Sequence, residues 1–214
     1  LQPMLLEETF RPPDYAVNQL FMGTDLNLYY DTQHESWHKR PDWFAVVGTT
    51  RLYKHSQDSR RSYVIWDEPV TPVIVVELLS PSTAAEDLGR TKAKENQPPP
   101  KWEVYERIVK IPYYAIFDGH TDELQLFHLT PQGYREVSLS NNRFWFKELK
   151  LGLGLWQGVY DIATAKRVWL RWYDAAGNWI PNKDEKTAYQ TQLTKQERQR
   201  ADQAEQRAAQ ERHR

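Results

Sequence analysis

Three nearly continuous apolar runs stand out in this chain of 214 residues. They cover residues 43–47, 73–79 and 112–118. Apolar runs of this length, without alternation, are typical of strands that are covered on both faces of a sheet. The pattern therefore predicts that these three segments form the centre of a β-sheet.

Shorter segments also have strand character. Residues 62–67 follow the first run, and the basic stretch 51–61 before them is expected to be a hairpin connection. Two alternating segments, 124–129 and 134–137, flank a Thr-Pro-Gln-Gly sequence, which predicts a second hairpin. Residues 168–173 alternate in the same way and end at a turn.

Two helices are predicted between the second and third central strands. Ser82 or Thr83 can cap the first helix, and Glu86, three residues after Thr83, would complete a capping box. Three prolines at 98–100 end any preceding helix or strand, and their fixed φ angle favours the start of a second helix over residues 101–110. The apolar positions of this second helix that share one face are Trp102, Tyr105, Ile108 and Val109.

The two ends of the chain differ from its middle. Residues 1–18 are interrupted by prolines and predict an arm that lies on the domain. Residues 183–214 are rich in Gln, Glu, Arg and Ala, which predicts a solvated helix whose alanines are too small for a strong coiled-coil seam. A single exposed helix and a coiled coil within a longer chain both stay open. We predict one domain over residues 1–181, including the arm, and a charged helical tail over residues 182–214.

One carboxylate lies in an unexpected place. Glu77 is embedded in the second apolar run, where an ionised carboxylate is costly unless it is paired or holds a metal. Asp42 begins the first run, and Lys101 begins the second predicted helix. A sheet with a helix packed on it could bring these three side chains together at one edge. Two carboxylates suit Mg²⁺, metal-bound water can attack a phosphodiester, and a lysine can assist that attack.

Composition narrows the function classes. The chain has 28 Lys and Arg against 29 Asp and Glu, a net charge of −1, so any nucleic-acid contact needs a local basic patch. Cysteine is absent, which excludes disulfides, cysteine–zinc sites and thiol catalysis. No apolar run reaches the roughly 20 residues of a membrane span, and no signal peptide is visible. A cytoplasmic protein without membrane contact is therefore expected.

Two further patterns bear on metal and phosphate binding. Residues 34–38 read His-Glu-Ser-Trp-His, which formally matches a zinc-protease motif, but their flanks leave little room for the helix that this motif needs. A zinc site is therefore not expected. Basic residues that flank the candidate acids could contact phosphates, although ordinary solvated loop charges explain them equally well. These residues are Lys39, Arg40, Arg51, Lys54, Arg60 and Arg61.

The motifs together resemble a known family. They are Pro41-Asp42 before an apolar strand, the segment 75–83 with the sequence Val-Val-Glu-Leu-Leu-Ser-Pro-Ser-Thr, then Asp87, then Lys101-x-x-x-Tyr105, and then the segment 112–118. This series resembles the Uma family, which is similar to restriction endonucleases and belongs to the PD-(D/E)xK nuclease superfamily. The motifs span about residues 25–118, and a looser resemblance continues to about residue 181.

The resemblance implies a fold and a site. The fold would be α/β (α+β), with a restriction-endonuclease-like core in which helices flank a mixed β-sheet, followed by the helical tail. Asp42 and Glu77 would bind Mg²⁺ or Mn²⁺, with the backbone carbonyl of Leu78 as a further ligand. Leu79 stands where the superfamily has its lysine, so the resemblance assigns that role to Lys101. Two other lysines, Lys92 and Lys94, lie in the insertion between Asp87 and Lys101 and are alternative candidates for the catalytic lysine.

The function implied by the resemblance is metal-dependent hydrolysis of DNA phosphodiesters. Asp42, Glu77 and Lys101 would be catalytic, and Asp87 would orient a neighbour or add a ligand. DNA is the expected partner, and a homodimer is left open. The alternative is a catalytically inactive protein that kept the nuclease fold and binds nucleic acid or a protein partner. A third hypothesis is an interaction module organised by the tail, which the alanine-rich seam disfavours.

Overall fold

The computed structural model describes residues 1–53, 57–161 and 165–212. Its helical elements are α1 (Gln2–Thr9), α2 (Ala84–Asp87), α3 (Lys101–Glu103), which continues as a π-helical segment (Val104–Ile108), and α4 (Lys183–Arg212). The strands are β1 (Leu20–Thr24), β2 (Leu28–Tyr29), β3 (His38–Lys39), β4 (Trp43–Val47), β5 (Tyr63–Val64), β6 (Ile74–Leu78), β7 (Tyr113–Asp118), β8 (Glu123–Thr130), β9 (Gly133–Glu136), β10 (Arg143–Phe146), β11 (Leu151–Gly158) and β12 (Arg167–Tyr173).

A six-stranded mixed sheet forms the centre, in the order β1-β4-β6-β7-β8-β9. The three predicted central strands are neighbours in it, as β4, β6 and β7. β4 and β6 are antiparallel, whereas β6 and β7 are parallel. The predicted hairpin is confirmed as β8 and β9, which pair antiparallel around a short turn.

Both faces of this sheet are covered, as the continuous apolar runs predicted. On one face, the three-stranded sheet β10-β11-β12 packs Leu153 and Trp172 into the same core cluster as Trp43 and Val76. On the other face, the segment 101–108 contributes Val104 and Tyr105 to the core around Val75. Successive side chains of a strand point to opposite faces, so β6 divides its residues between the two cores.

Within the predicted N-terminal arm, residues 2–9 form a helix, α1. Pro3 did not prevent the helix, because a proline in the first turn removes no intrahelical hydrogen bond. Gln2 anchors α1 to β12: its side-chain Nε2 donates to the carbonyl of Leu170 at 2.8 Å, and its Oε1 accepts from the N–H of Leu170 at 2.9 Å. Leu5, Leu6 and Phe10 are fully buried, so α1 is part of the core.

The predicted hairpin connection over residues 51–61 is wrong. The strand after it, β5, does not pair with β4 but runs parallel to β2, in a separate three-stranded sheet of order β3-β2-β5. Only Tyr63–Val64 of the predicted strand 62–67 is extended, and Ile65–Asp67 forms a turn of 3₁₀-helix. β1, β3, β10 and β11 were not predicted.

The second predicted helix changes its hydrogen-bonding pattern part-way. The N–H of Val109 donates to the carbonyl of Val104, five residues earlier, which is π-helical spacing. The wider turn rotates the later residues relative to α-helical spacing. Tyr105 and Val109 are buried as predicted, but Ile108 is 42% exposed, so its assignment to the buried face is wrong.

The charged tail is confirmed as one long helix, α4, which is exposed over most of its length. It is held at its start, where buried Arg171 pairs with Glu185 and where Asn182 accepts a hydrogen bond from the N–H of Glu185 at 2.9 Å. The division at residue 181 stays a prediction. Among the described residues, no helix is long and apolar enough to span a membrane.

Candidate active site

Glu77 lies near the carboxyl end of β6 and is completely buried. Strand alternation places its side chain on the same face as Val75, under the helical segment 101–108. Three described groups donate hydrogen bonds to its carboxylate: the ammonium of Lys101, the N–H of Asp42 and the hydroxyl of Tyr105.

Lys101 lies between two buried carboxylates. Its Nζ donates to Glu77 Oε2 at 2.9 Å and to Asp87 Oδ1 at 2.8 Å. The lysine side chain is 13% exposed, whereas both acids are fully buried. Pro100 ends the proline run with an extended backbone and places Lys101 at the first position of α3. The rivals Lys92 and Lys94 are exposed.

Asp42 approaches Glu77 through reciprocal hydrogen bonds between neighbouring strands. The N–H of Asp42 donates to Glu77 Oε2 at 3.3 Å, and Asp42 Oδ2 accepts from the N–H of Leu78 at 2.7 Å. The β4–β6 register pairs Trp43 with Val76, so one further step sets Asp42 opposite Glu77. Asp42 is partly exposed, and it opens the site to solvent.

Two tyrosines support the acids, and their roles were not predicted from the sequence. The hydroxyl of Tyr105 donates to Glu77 Oε1 at 2.9 Å, and the hydroxyl of Tyr114 donates to the carbonyl of Asp87 at 2.9 Å. Both tyrosines are fully buried. Tyr105 follows Lys101 by four residues, which places both on one helix face. That spacing was the available signal for Tyr105.

The predicted capping box is wrong. The side chain of Thr83 forms no capping hydrogen bond, and the carboxylate of Glu86 points to Lys39 and Lys101 instead. Glu86 Oε1 accepts from the N–H of Lys101 at 2.9 Å and from Nζ of Lys39 at 2.8 Å. It therefore fixes the start of α3 to the loop region around β3. Although burial opposes the change, the ammonium of Lys39 lowers the pKa of Glu86.

Most of the predicted phosphate-binding cations are paired within the protein. Lys39 binds Glu86, Arg40 binds Asp25, Arg51 binds Glu7, and Arg60 forms a buried pair with Glu68. Arg61 is exposed, and Lys54 lies outside the described residues. The histidine motif is not helical: His34 pairs with Asp31 and stacks on Trp37 at 3.8 Å between ring centroids.

The electrostatics of the cluster are dominated by burial. Burial raises the pKa of Glu77 to about 8; Lys101 opposes this rise, and the neighbouring Asp87 adds to it. Burial by itself would lower the pKa of the Lys101 ammonium, but Glu77 and Asp87 outweigh that effect and raise it. Burial and the adjacent carboxylate also raise the pKa of Tyr105 well above its ordinary value, so its hydroxyl stays a donor.

The residues fit a hard divalent cation. Glu77 and Asp87 share a single ammonium, and Asp42 lies opposite Glu77, so acids outnumber cations in the cluster. Asp87 Oδ2 is buried without a hydrogen-bond partner in the described chain. Across residues 1–53, 57–161 and 165–212, no three His, Asp or Glu side chains are already grouped as a metal site. Mg²⁺ needs only one or two protein carboxylates, because it keeps several waters. The oxygen donors of Asp42, Glu77 and Leu78 match this requirement.

The raised pKa of Glu77 predicts how the stability of the metal-free protein depends on pH. The carboxyl releases its proton near pH 4.5 when exposed and near pH 8 when folded, so the unfolded chain binds fewer protons between these values. The contribution of Glu77 to the free energy of unfolding therefore decreases as the pH rises from about 5 to 8. Urea unfolding in EDTA should show that the free energy of unfolding decreases across this pH range, and that the decrease is smaller in Glu77→Gln. Identical slopes in both proteins would contradict the prediction.

The candidate site thus consists of acidic side chains at adjacent strand ends, joined by a lysine from a following helix, on a mixed α+β fold. A family model described as "Uma2: Putative restriction endonuclease" matches residues 5–165, and the chain belongs to this family. The family assignment and the restriction-endonuclease-like fold expected from the motifs are thereby confirmed. No curated protein matches the chain.

Proposed function

We propose that the protein is a Mg²⁺- or Mn²⁺-dependent hydrolase of DNA phosphodiesters. The observation that carries the proposal is the hydrogen-bonded group of Lys101, Glu77 and Asp87, with Asp42 across the strand pair. A structural role alone would not require so many buried charges at one point, because desolvating them is costly. Family membership supports the nuclease assignment, and the oxygen donors support the divalent metal.

Each residue has a distinct proposed role. Asp42, Glu77 and the carbonyl of Leu78 would hold the ion. When bound, a divalent ion supplies a water of lowered pKa and neutralises charge on the phosphate. Lys101 is close enough to Glu77 to present its ammonium to the same phosphate or to orient the attacking water. Asp87 holds Lys101 in place from the opposite side, at 2.8 Å.

Residues further out keep this arrangement in one geometry. Tyr105 fixes the Glu77 carboxylate by a hydrogen bond to the oxygen that Lys101 does not contact. Glu86 holds the backbone of Lys101 and thereby the start of its helix. Such support matters because catalytic groups must be positioned to within a fraction of an ångström. The homodimer stays a prediction.

Metal dependence is the first test of this function. Plasmid and linear DNA should be cut with Mg²⁺ or Mn²⁺, and EDTA should abolish cutting. Asp42→Asn should reduce the rate by at least about 10²-fold, because the amide can still accept the hydrogen bond from Leu78 but is a poorer ligand for a hard cation. The measurement is the initial rate of plasmid nicking, with calorimetric titration of Mg²⁺ as a second readout.

The outcomes separate the proposal from its alternative. Cutting that survives both EDTA and Asp42→Asn would mean that a contaminant or another site is responsible. If neither metal supports cutting on any of a broad set of DNA substrates, and Mg²⁺ does not bind, the inactive nuclease-fold protein becomes the better description.

A further inference from the structure

A cleft of about 640 Å³ opens beside the candidate site, at the end of the sheet where β6 and β7 finish. Leu78, Leu79 and Phe117 form part of its lining. The N–H of Leu78 donates to Asp42, and Leu78 directly follows Glu77, so cleft and site share this stretch of backbone. Leu78 and Phe117 pack toward the β10-β11-β12 sheet, which places the cleft on the other face of the sheet from Tyr105.

Two cations also line the cleft. Arg167 is the first residue of β12, Lys166 directly precedes it, and both are exposed. Neither forms an ion pair with any residue that the structure describes. The guanidinium of Arg167 lies over the ring of Trp169, 4.8 Å from its centroid, which orients it without neutralising it. His120 also lines the cleft, and Asp122 contributes one carboxylate, so the lining carries one net positive charge with His120 neutral.

A DNA substrate needs cations along its path beside the candidate site, because cations that contact phosphates supply much of the binding free energy. Of the basic residues considered as phosphate contacts from the sequence, Lys39, Arg40, Arg51 and Arg60 are each paired with an acid. Lys166 and Arg167 place two further cations on the Leu78 side of the site.

From this juxtaposition we infer that the cleft holds the sugar–phosphate backbone of the DNA, and that Lys166 and Arg167 contact phosphates next to the cleaved one. The inference rests on the proposed function and adds the path of the substrate to it. Gln2 and Gln157, which also line the cleft, supply neutral hydrogen-bonding groups to the same strand. Contacts of this kind position DNA without reading its sequence.

The test compares the double variant Lys166→Ala/Arg167→Ala with the wild-type protein. The control variant is Lys195→Ala/Arg198→Ala, which removes the same two charges from the exposed tail helix. Binding of a fluorescent duplex is measured by anisotropy in Ca²⁺ from 50 to 200 mM salt, and cleavage is measured in Mg²⁺. The cleft variant should bind at least about 10-fold more weakly, with a salt slope about 1.8 smaller, because each lost phosphate contact contributes about 0.9.

Different failures identify different errors. If the wild-type protein cuts DNA and the cleft variant binds and cuts equally well with an unchanged salt slope, the cleft assignment is wrong and the nuclease function stands. If the control variant loses as much affinity as the cleft variant, the loss of affinity reflects the net charge of the protein, and the assignment is also wrong. If the wild-type protein neither binds nor cuts DNA, the proposed function fails and the assignment falls with it. Circular dichroism verifies folding, and Lys166→Gln/Arg167→Gln is the substitute if the alanine variant misfolds.

Discussion

Glu77→Gln should abolish DNA cleavage and at the same time stabilise the metal-free protein. The substitution removes a proposed metal ligand, and loss of the activated water and of charge neutralisation should lower the rate by at least about 10³-fold. The same side chain is fully buried beside Asp87, where the uncharged form is favoured. Replacing it by a neutral amide should raise the free energy of unfolding at pH 8 on the order of 2 kcal/mol.

The opposite signs make this prediction specific. A glutamate with a purely structural role, paired to Lys101 and Tyr105, should destabilise the fold when it is replaced. Plasmid nicking measures the first effect, and urea unfolding in EDTA measures the second. Glu136→Gln is the matched control, because Glu136 is an exposed acid in the same sheet. A variant that is both inactive and clearly less stable would show that Glu77 is needed for folding rather than held there for chemistry.

The central part of the fold and the acids of the site could be predicted from the sequence because their signals are local. Apolar runs without alternation identified β4, β6 and β7, and a carboxylate within such a run was already anomalous. Lys101 was harder to place, because its link to Glu77 depends on the length and path of the chain between α2 and α3. The order of the motifs predicted this link through the resemblance to the family, whereas the hydrophobic periodicity could not predict it.

Other parts could not be predicted, because their determinants are tertiary. β11 contains three glycines, a residue type that is uncommon in strand interiors. The structure shows why glycine is required at Gly152: a Cβ there would lie 2.0 Å from the ring of Tyr173 on the neighbouring strand. The unusual composition is thus a packing requirement between two strands, which becomes visible only once they are paired.

The supporting hydrogen bonds are tertiary as well. Glu86 has the spacing of a capping box with Thr83, yet it binds Lys39 and the backbone of Lys101. Both alternatives satisfy the carboxylate, and the sequence cannot rank them without knowing where β3 and α3 lie. Tyr114 is one more aromatic residue in an apolar strand until its hydroxyl is seen to reach the carbonyl of Asp87.

Lys101→Met should destabilise the metal-free protein by about 3–5 kcal/mol, the usual effect of removing one partner from a buried charge cluster. Methionine has a similar length but no charge, so the buried Asp87 carboxylate would lose its cation and Glu77 would lose a hydrogen-bond donor. Cleavage should fall at least about 10²-fold, because a cation at the reacting phosphate is lost. Lys110→Met, an exposed change in the following loop, is the control for loss of one positive charge.

Magnesium should partly reverse the instability of this variant, and this is where a metal site differs from an ordinary salt bridge. With the ammonium gone, an added ion would take over the charge compensation of Asp42, Glu77 and Asp87. Because it binds the folded state, it stabilises that state by mass action. Addition of 10 mM Mg²⁺ should therefore raise the melting temperature of Lys101→Met more than that of the wild-type protein, as measured by thermal unfolding. If Mg²⁺ stabilises neither protein, these acids hold only the lysine, and the assignment of Asp42 and Glu77 as metal ligands is wrong.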